Sequence, residues 1–392
     1  MHNLGIDKQL EVIKRGASQI ITEKELKAKL EISLKEKRPL RIKAGFDPTA
    51  PDIHLGHTVL LRKLRQFQEL GHHVIFLIGD FTARIGDPTG RSVARKVLNL
   101  EQVSQNAATY TRQISKILDL DKLEIKFNGS WFDKMQLAEF LGITMNTTVQ
   151  QIIQREDFKE RTSAGQEISM LEFIYPILQG YDSVMLQADI ELGGTDQIFN
   201  LLVGRDMQRD FGQPEQVVIT MPLLEGTDGI QKMSKSYGNY IAINDTPVDM
   251  FGKIMSISDE MMFKYYTLLT DADLESVKKM HPKQAKLGLA EDIASQYHGV
   301  EAAKKAKEEF EQVFSKGELP QDIPVYKLKK QKSSIIEVLL DSGLTASKNE
   351  ARRLIQQGGV SLDGEQMAKE DQIIDKEGIL RIGKRRFLKL TK

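Results

Sequence analysis

The sequence predicts an α/β protein: a Rossmann-like parallel-sheet domain with a helical insertion, followed by an α-helical domain and a small α+β C-terminal module. The first observation is a βαβ pattern, in which an apolar strand (Leu40–Phe46) precedes a helix (about His57–Leu70) and a continuous apolar run (Val74–Ile78). The second is helical spacing over residues 97–172, which interrupts the alternation of strand and helix. The third is a change of pattern in residues 333–392, where short helices alternate with short strands.

The remaining segments are assigned by the same spacing rules. They read as helical over residues 8–37 and 247–316, and as sheet-like over residues 184–192 and 217–222. Prolines and lysines between residues 320 and 332 indicate a linker.

The C-terminal module has its own start and stop signals. Ser333–Leu340 is predicted to be a short amphipathic helix, and Ser347 with Glu350 forms a capping-box pattern that opens a second helix. Strand-like segments follow at residues 360–364, 379–382 and 387–390. We therefore expect this module to fold separately from the rest of the chain.

Composition limits the classes of protein to which this chain can belong. With 392 residues, 40% hydrophobic and 28% charged, it has the profile of a soluble globular protein with two or three domains. The absence of cysteine excludes disulfides, thiolate nucleophiles and cysteine-ligated zinc. Residues 1–13 lack the apolar core of a signal peptide, and the longest apolar run is too short to cross a membrane. A cytoplasmic location is therefore predicted.

The charge of the chain is balanced, with 55 basic and 55 acidic residues. A zero total argues against a general nucleic-acid binder, although local potential, not the total, steers a polyanion. Two basic clusters lie near the C-terminus: Lys327, Lys329, Lys330 and Lys332, and Arg381, Lys384, Arg385, Arg386 and Lys389. Charge alone favours a solvated linker and a solvated edge strand.

Two short motifs carry the main chemical signal: HLGH at residues 54–57 and KMSKS at residues 232–236. His54 and His57 share one face of the first helical turn, at a helix end that attracts anions, and Gly56 allows a ligand to lie against the backbone. The lysines of KMSKS lie in a glycine-bordered loop that can close over a leaving group and stabilise its developing charge. Together the motifs supply what adenylyl transfer from ATP requires.

Each motif alone has an ordinary explanation. Two histidines at a helix start can be capping or solvated side chains, and a KxxK spacing is often an exposed basic turn. A strand, HxGH and a distal KMSKS in that order form a much more specific signal. His72 and His73, in the turn after the helix, are assigned no functional role.

Three further features are candidate ligand contacts. Gly193-Gly194-Thr195-Asp196-Gln197 allows close backbone approach and offers a carboxylate for ribose hydroxyls, although a tight βα turn would look similar. Tyr175, Gln179 and Asp182 share one helical face, and such a polar stripe is costly to bury without a partner. A surface face is an equal alternative for this stripe. Asp87 follows a strand end, where α/β proteins bind ligands, or is a turn aspartate.

With these motifs in place, the sequence resembles the bacterial tyrosyl-tRNA synthetases, which are class I aminoacyl-tRNA synthetases. The resemblance covers essentially the whole chain and rests on residues 45–49, HLGH, residues 86–90, the Tyr175/Gln179/Asp182 face, residues 193–197 and KMSKS. The C-terminal module resembles a small RNA-binding fold shared with a ribosomal protein and certain pseudouridine synthases. The resemblance implies a catalytic domain (1–225) with an insertion (97–172), a KMSKS loop with an α-helical anticodon-binding domain (226–320), a basic linker (321–332) and an RNA-binding domain (333–392).

The resemblance also implies roles for single residues. Catalysis would use Thr49, His54, His57, Lys232 and Lys235. ATP would be bound by Gly45, Asp47, Gly56, Gly193, Asp196, Gln197, Met233, Ser234 and Lys235. Tyrosine would be bound by Tyr175, Gln179, Asp87, Gln197, Asp182 and Lys43, with Asp182 accepting from the phenol. The tRNA would be contacted by Lys329, Lys330, Arg352, Arg353, Arg385 and Arg386.

Two positions depart from the family pattern. Many members carry a tyrosine in the first strand that also meets the substrate phenol, whereas this chain has Lys43 followed by Ala44. We expect Lys43 to change the pocket floor and to pair with an acid such as Asp80. Glu191 stands where glutamine often occurs in the family.

The implied function is two-step aminoacylation of tRNA(Tyr) with L-tyrosine. ATP would be the co-substrate and would bring Mg²⁺ with it, so no protein metal site is predicted. The family is typically a homodimer formed through the insertion. Two alternatives remain open: a tryptophanyl-tRNA synthetase, and a non-catalytic RNA-binding protein derived from a synthetase.

Overall fold

The computed structural model describes residues 4–48, 53–87, 100–145, 147–315, 323–328, 333–345, 347–383 and 386–391. The chain divides into two compact units, one made of Met1–Thr246 and Lys253–Gly299, the other of Pro247–Gly252 and Val300–Lys392. The four-part division expected from the sequence stays a prediction.

A six-stranded sheet forms the centre of the first unit. Its strands are β1 (Gln19–Ile21), β2 (Arg41–Phe46), β3 (His73–Ile78), β4 (Leu123–Phe127), β5 (Ile190–Gly194) and β6 (Val217–Met221). They lie in the order β1-β6-β5-β2-β3-β4, and all neighbours are parallel except β1 and β6. The predicted parallel sheet is thus confirmed.

Helices connect these strands and follow them in the chain. Up to the last parallel strand they are α1 (Ile6–Lys14), α2 (Glu23–Glu36), α3 (Leu55–Glu69), α4 (Leu100–Ile114), α5 (Gly129–Phe132), α6 (Leu137–Thr144), α7 (Val149–Ile153), α8 (Glu156–Ser163), α9 (Met170–Leu186) and α10 (Ile198–Asp210). The next five are α11 (Pro247–Met255), α12 (Asp259–Leu269), α13 (Leu274–Lys278), α14 (Pro282–His298) and α15 (Val300–Ser315). The predicted βαβ unit is β2–α3–β3, and α3 buries Val59, Leu64 and Phe67.

The position of β2 in the sheet determines where a ligand can bind. The chain continues from β2 to β3 on one side, whereas β5 pairs with β2 on the other side. In open α/β sheets such a change of direction leaves a crevice at the carboxyl ends of the strands. The turn after β3 comes so close to this crevice that a Cβ on Gly79 would lie 2.1 Å from a carboxylate oxygen of Asp47. Only glycine fits there without displacing that side chain.

The described part of residues 97–172 is mostly helical, as predicted, but it also contains β4, which was not predicted. β4 is an edge strand that is only partly buried, and it alternates apolar with charged residues. Two other element predictions were wrong. Val184–Leu186 was assigned to a strand but completes α9, which ends at Gln187 in the left-handed conformation. β1 interrupts the predicted helical segment 8–37.

The second unit contains a five-stranded sheet. Its elements are β7 (Val325–Lys327), β8 (Ser333–Ser334), α16 (Ile335–Asp341), α17 (Lys348–Gln356), β9 (Val360–Leu362), β10 (Glu365–Gln366), β11 (Ile373–Ile374), β12 (Gly378–Ile382) and β13 (Arg386–Thr391). The sheet order is β10-β9-β12-β13-β7, and β8 pairs separately with β11. Ser347 accepts a hydrogen bond from the backbone N–H of Glu350 at 3.2 Å, as the capping pattern predicted. Both helices bury their apolar faces in one core with the sheet.

Within the described residues, no helix combines the length and the apolar character needed to cross a membrane.

Candidate active site

A cavity of about 330 Å³ opens at the carboxyl ends of β2 and β5. Most of the predicted ligand contacts line it: Gly45, Asp47, His57, Asp87, Tyr175, Gln179, Asp182, Gly193, Asp196, Gln197 and Lys232. Segments far apart in the sequence therefore meet at one site. Thr49 lies outside the described residues, as do Lys329, Lys330 and Arg385.

HLGH and KMSKS converge at this cavity. His54 precedes α3, and its neighbour Leu55 donates its backbone N–H to the carbonyl of Ile241, just beyond the KMSKS loop, at 3.0 Å. A Cβ built on Gly56 would lie 3.5 Å from the Cβ of Met233. His57 and Lys232 line the cavity, whereas His54, Gly56, Met233, Ser234 and Lys235 are not among its lining residues.

The two imidazoles are neutral at physiological pH. Their ring centroids lie 3.8 Å apart, and the His57 ring nitrogen Nδ1 accepts the backbone N–H of His54 at 3.2 Å. Burial, with contributions from the neighbouring ring and from Lys235, lowers the pKa of His54 to about 2. Burial and Lys235 lower the pKa of His57 to about 4. The rings can therefore serve a triphosphate as neutral hydrogen-bond donors, not as cations.

Because the two histidines stay neutral, we expect them to add no pH dependence to the KM for ATP. Because both folded-state pKa values lie below the ordinary histidine value, the histidines lose no proton between pH 5.5 and pH 8. We expect the KM for ATP, measured by pyrophosphate exchange at saturating tyrosine and expressed for the fully ionised nucleotide, to change less than about threefold across that range. A steep rise of this KM centred near pH 6.5, which disappears in His57→Gln, would contradict the assignment.

Asn239 organises the KMSKS loop, and sequence reasoning did not identify it. Its side-chain oxygen accepts the backbone N–H of Ser234 at 2.8 Å, and its amide donates to the carboxylate of Asp228 and to the carbonyls of Gln231 and Lys232 at 2.9, 3.2 and 3.3 Å. Asn239 is buried, and a Cβ on Gly226 would collide with it. One amide therefore fixes both arms of the loop.

Asn239→Ala is expected to lower kcat for pyrophosphate exchange by about tenfold, because the lysines lose their preorganised positions. The KM for tyrosine should change little. Asn244→Ala is the matched control, since Asn244 is exposed and accepts from Lys116 at 2.8 Å. Equal effects of the two variants would rule out a special role for Asn239.

Lys232 contacts the residue predicted to bind ribose. Its ammonium nitrogen lies 3.8 Å from a carboxylate oxygen of Asp196, and both side chains are partly exposed. Burial raises the pKa of Asp196, and Lys232 opposes that shift. A residue predicted to bind phosphate and one predicted to bind adenosine are thus adjacent.

The predicted tyrosine-binding helix face is buried against a polar network. Tyr175 donates its hydroxyl to Asp47 at 2.8 Å, and Asp182 accepts from the indole N–H of Trp131 at 3.1 Å and from the amide of Asn128 at 3.3 Å. The Asn128 amide also donates to Thr82 at 3.1 Å, whose hydroxyl donates to Asp47 at 2.7 Å. A continuous chain of hydrogen bonds therefore joins Asp182 to Asp47.

Thr82, Asn128 and Trp131 were missed by sequence reasoning. Asn128 directly follows the carboxyl end of β4, and Trp131 is the only tryptophan of the chain. A strand end followed by a polar residue and a lone tryptophan is the signal that could have indicated them. It was not read because β4 itself was not predicted.

A second hydrogen-bond network joins Gln179, Gln197 and Asp87, three of the predicted tyrosine contacts. The amide of Asn200 donates to the side-chain oxygens of Gln179 and Gln197, both at 3.0 Å. The Gln197 amide in turn donates to Asp87 at 2.8 Å. These three predicted contacts are therefore oriented together, through Asn200.

Lys43 does not pair with Asp80, so that expectation was wrong. Lys43 is fully buried, and its ammonium nitrogen lies 2.9 Å from a carboxylate oxygen of Glu191. It also donates to Ser183 and to the carbonyl of Gln179. An ammonium has three N–H groups, and these acceptors use all of them. A direct contact between Lys43 and tyrosine is accordingly not supported, and Lys43 is absent from the described lining of the cavity.

The predicted tRNA-binding residues in the second unit are exposed. Arg352 and Arg353 lie on α17, and Arg386 begins β13. Arg352 donates to Glu370 at 2.9 Å, and Arg386 donates to the carbonyl of Leu344 at 2.6 Å. Their contact with tRNA stays a prediction. Across the described residues, no group of three or more histidines and carboxylates is arranged to hold a metal ion.

Comparison with known proteins identifies the class to which this fold and site belong. Residues 35–315 match the family model described as tRNA synthetases class I (W and Y). Residues 310–389 match the model described as the tyrosine–tRNA ligase SYY-like C-terminal domain. The chain is therefore a member of the class I tRNA synthetases of the tryptophan and tyrosine type.

Close relatives define the particular branch. The tyrosine–tRNA ligase of Oleidesulfovibrio alaskensis is 52% identical, with 99% of each chain covered. Those of Aquifex aeolicus and Desulfotalea psychrophila are 51% and 50% identical, covering 98% of this chain and 99% and 98% of theirs. The chain belongs to the tyrosine–tRNA ligase family, which confirms the resemblance seen in the sequence.

Solved structures agree on the fold. The tyrosyl-tRNA synthetase of Archaeoglobus fulgidus, complexed with L-tyrosine, matches with a TM-score of 0.62 and 24% identity over 78% of this chain and 100% of its own. A C-terminally truncated mitochondrial tyrosyl-tRNA synthetase of Coccidioides posadasii matches with a TM-score of 0.63 and 22% identity, over 76% of this chain and 91% of its own.

Proposed function

We propose that this chain activates L-tyrosine with ATP and transfers the tyrosyl group to the 3′-terminal adenosine of tRNA(Tyr). The observation that carries the proposal is the convergence of HLGH, KMSKS and the buried carboxylate of Asp182 on one cavity. Full-length similarity to tyrosine–tRNA ligases supports the same conclusion.

In the first step, an oxygen of the tyrosine carboxylate attacks the α-phosphorus of ATP. The bond between that phosphorus and its bridging oxygen breaks, and pyrophosphate leaves. Lys232 and Lys235 would meet the charge that grows on the leaving group, while the neutral rings of His54 and His57 donate to phosphate oxygens. Catalysis in this scheme comes from positioning and charge stabilisation, and no protein nucleophile takes part.

In the second step, a ribose hydroxyl of the terminal adenosine attacks the acyl carbon, and AMP leaves. Asp196, Gly193 and Asp47 would hold the adenosine of the adenylate, with Asp196 on its ribose. Gln197 would remain close to the acyl group. In the structure its amide donates to Asp87.

Selection of tyrosine would depend on Asp182. This carboxylate is buried and already has donors in Asn128 and Trp131, so a phenol hydroxyl completes its shell. A phenylalanine ring would leave a buried acceptor without that donor, which is costly. Tyr175, Gln179 and Asp87 would surround the ammonium group.

Three further features belong to the same proposal. Mg²⁺ would enter with ATP and be bound mainly by phosphate oxygens. A second copy of the chain would cover the insertion, where Leu137, Met145 and Met170 expose 72, 79 and 74% of their surface. The basic residues of the second unit would contact tRNA. The cytoplasmic location remains a prediction.

The test is amino-acid-dependent exchange of labelled pyrophosphate into ATP, run with each of the twenty amino acids. We expect exchange with tyrosine alone. Exchange with tryptophan would instead indicate a tryptophanyl-tRNA synthetase. Binding of tRNA without any exchange would indicate a non-catalytic RNA-binding protein.

A further inference from the structure

Two oppositely charged side chains, Lys43 and Glu191, contact each other beside the cavity. Lys43 and Glu191 are direct partners in the register of the parallel strands β2 and β5, and their charged atoms lie 2.9 Å apart. The side chains of Lys43 and Glu191 are 0% and 1% exposed. Solvent and salt therefore weaken the attraction between their charges very little. Removing one partner of such a pair leaves an uncompensated buried charge.

The pair is also bonded to the helix that carries the predicted tyrosine contacts. Lys43 donates to the Gln179 carbonyl at 3.2 Å and to the Ser183 hydroxyl at 2.8 Å, and that hydroxyl donates to Glu191 at 2.9 Å. Gln179 and Ser183 lie one turn apart on α9, and Asp182 lies between them. Glu191 also accepts from Gln216 and lines the cavity.

We propose that Lys43 and Glu191 act as one positioning pair, which fixes Gln179 and Asp182 on α9 and thereby determines tyrosine affinity without contacting tyrosine. Lys43 supplies the positive charge behind a pocket wall that contains two carboxylates, Asp182 and Glu191. The proposal rests on the proposed function, since it names the residues that prepare the amino acid site.

The electrostatics of Asp182 give the pair a distinguishable signature. Burial raises the pKa of Asp182 to about 7, Lys43 opposes the rise together with the donors Asn128 and Trp131, and Glu191 adds to it. The other titratable groups that line this cavity near Asp182 are Tyr175, Asp47 and Asp87. Loss of Lys43 and loss of Glu191 must therefore move the titration of Asp182 in opposite directions.

Tyrosine binding to the full-length chain can be followed through the fluorescence of Trp131, which donates to Asp182 and is the only tryptophan. Between pH 5.5 and pH 9, Lys43→Met should shift the midpoint of tyrosine affinity upward by about one unit or more. It should weaken binding by about tenfold or more at pH 7. Glu191→Gln should shift the midpoint downward, and the double variant Lys43→Met/Glu191→Gln should return it towards the parent value. Lys43→Arg, which keeps the charge, should retain the parent midpoint.

Lys63→Met is the matched control. Lys63 is another buried lysine, 2% exposed, whose ammonium donates to the carbonyls of Val12, Ile13 and Arg15 at 2.8, 3.1 and 2.9 Å. It should lower the thermal stability of the protein without moving the tyrosine midpoint. Shifts of the same sign in both single variants, or no shift in either, would overturn the proposal.

Pyrophosphate exchange by the unmodified protein distinguishes failure of this proposal from failure of the proposed function. Absence of tyrosine-dependent exchange in the parent would refute the function, whereas normal exchange with unchanged binding midpoints in the variants would refute the pair alone. If Lys43→Met fails to fold, Glu191→Gln and the double variant still show in which direction the pH midpoint of tyrosine affinity moves.

Discussion

Lys235→Ala should reduce the rate of tyrosine-dependent pyrophosphate exchange by roughly 10²–10³-fold, the loss typical when one stabilising group is removed from a developing anion. Lys235 acts on both histidines of HLGH, whose pKa values its charge helps to lower. Its charge therefore reaches the region where the triphosphate would lie. Because the predicted tyrosine contacts are on α9, the KM for tyrosine should stay near the parent value.

Lys253→Ala is the control for this variant. The ammonium of Lys253 lies 5.2 Å from the centre of the Tyr240 ring, and that of Lys235 lies 5.9 Å from the same ring. Lys253 pairs with Asp245 at 2.6 Å. It should change exchange by less than about threefold. An unchanged exchange rate in Lys235→Ala would refute the role of KMSKS in adenylate formation.

Asp182→Ala should weaken tyrosine activation by about 10²-fold or more in kcat/KM, mostly through KM. The variant loses the acceptor for the phenol and leaves the donors of Asn128 and Trp131 without their partner. It should also reduce the preference for tyrosine over phenylalanine, because without the Asp182 acceptor a substrate that lacks the hydroxyl no longer leaves a buried group unpaired. Tyrosine-specific synthetases are themselves the standard illustration of this rule.

The measurement for Asp182→Ala is pyrophosphate exchange with both amino acids over a range of concentrations. The KM for ATP serves as the internal control and should stay close to the parent value. If the ratio of kcat/KM for tyrosine and phenylalanine does not change, Asp182 is not the residue that selects the phenol.

The fold could be predicted where local pattern and tertiary environment agree. β2, α3 and β3 carry buried apolar runs and a helical stripe, and each is present close to its predicted bounds. β4 escaped detection because an edge strand with one partly exposed face has no continuous apolar run. The end of α9 was read as a strand because Val184 and Leu186 are apolar, yet a helix that is buried on most faces has the same composition.

The residues of the candidate site also fall into those that the sequence could predict and those that it could not. HLGH and KMSKS could be recognised because each is a compact motif whose chemistry lies in adjacent residues. Asn128 and Asn239 could not, since each acts through bonds to partners that the fold alone brings near. The pairing of Lys43 with Glu191 depends on the register between β2 and β5, which a single sequence does not reveal.

The hydrogen-bonded path from Asp182 through Asn128 and Thr82 to Asp47 has a practical consequence for engineering. Asp182, proposed to bind the tyrosine side chain, and Asp47, proposed to bind the nucleotide, thus belong to one hydrogen-bonded network. Enlarging the pocket for bulky para-substituted phenylalanines by trimming Asn128 would therefore disturb ATP handling as well. Substitutions that change the amino-acid specificity should therefore leave Asn128 and Thr82 unchanged and replace apolar residues that line the pocket instead.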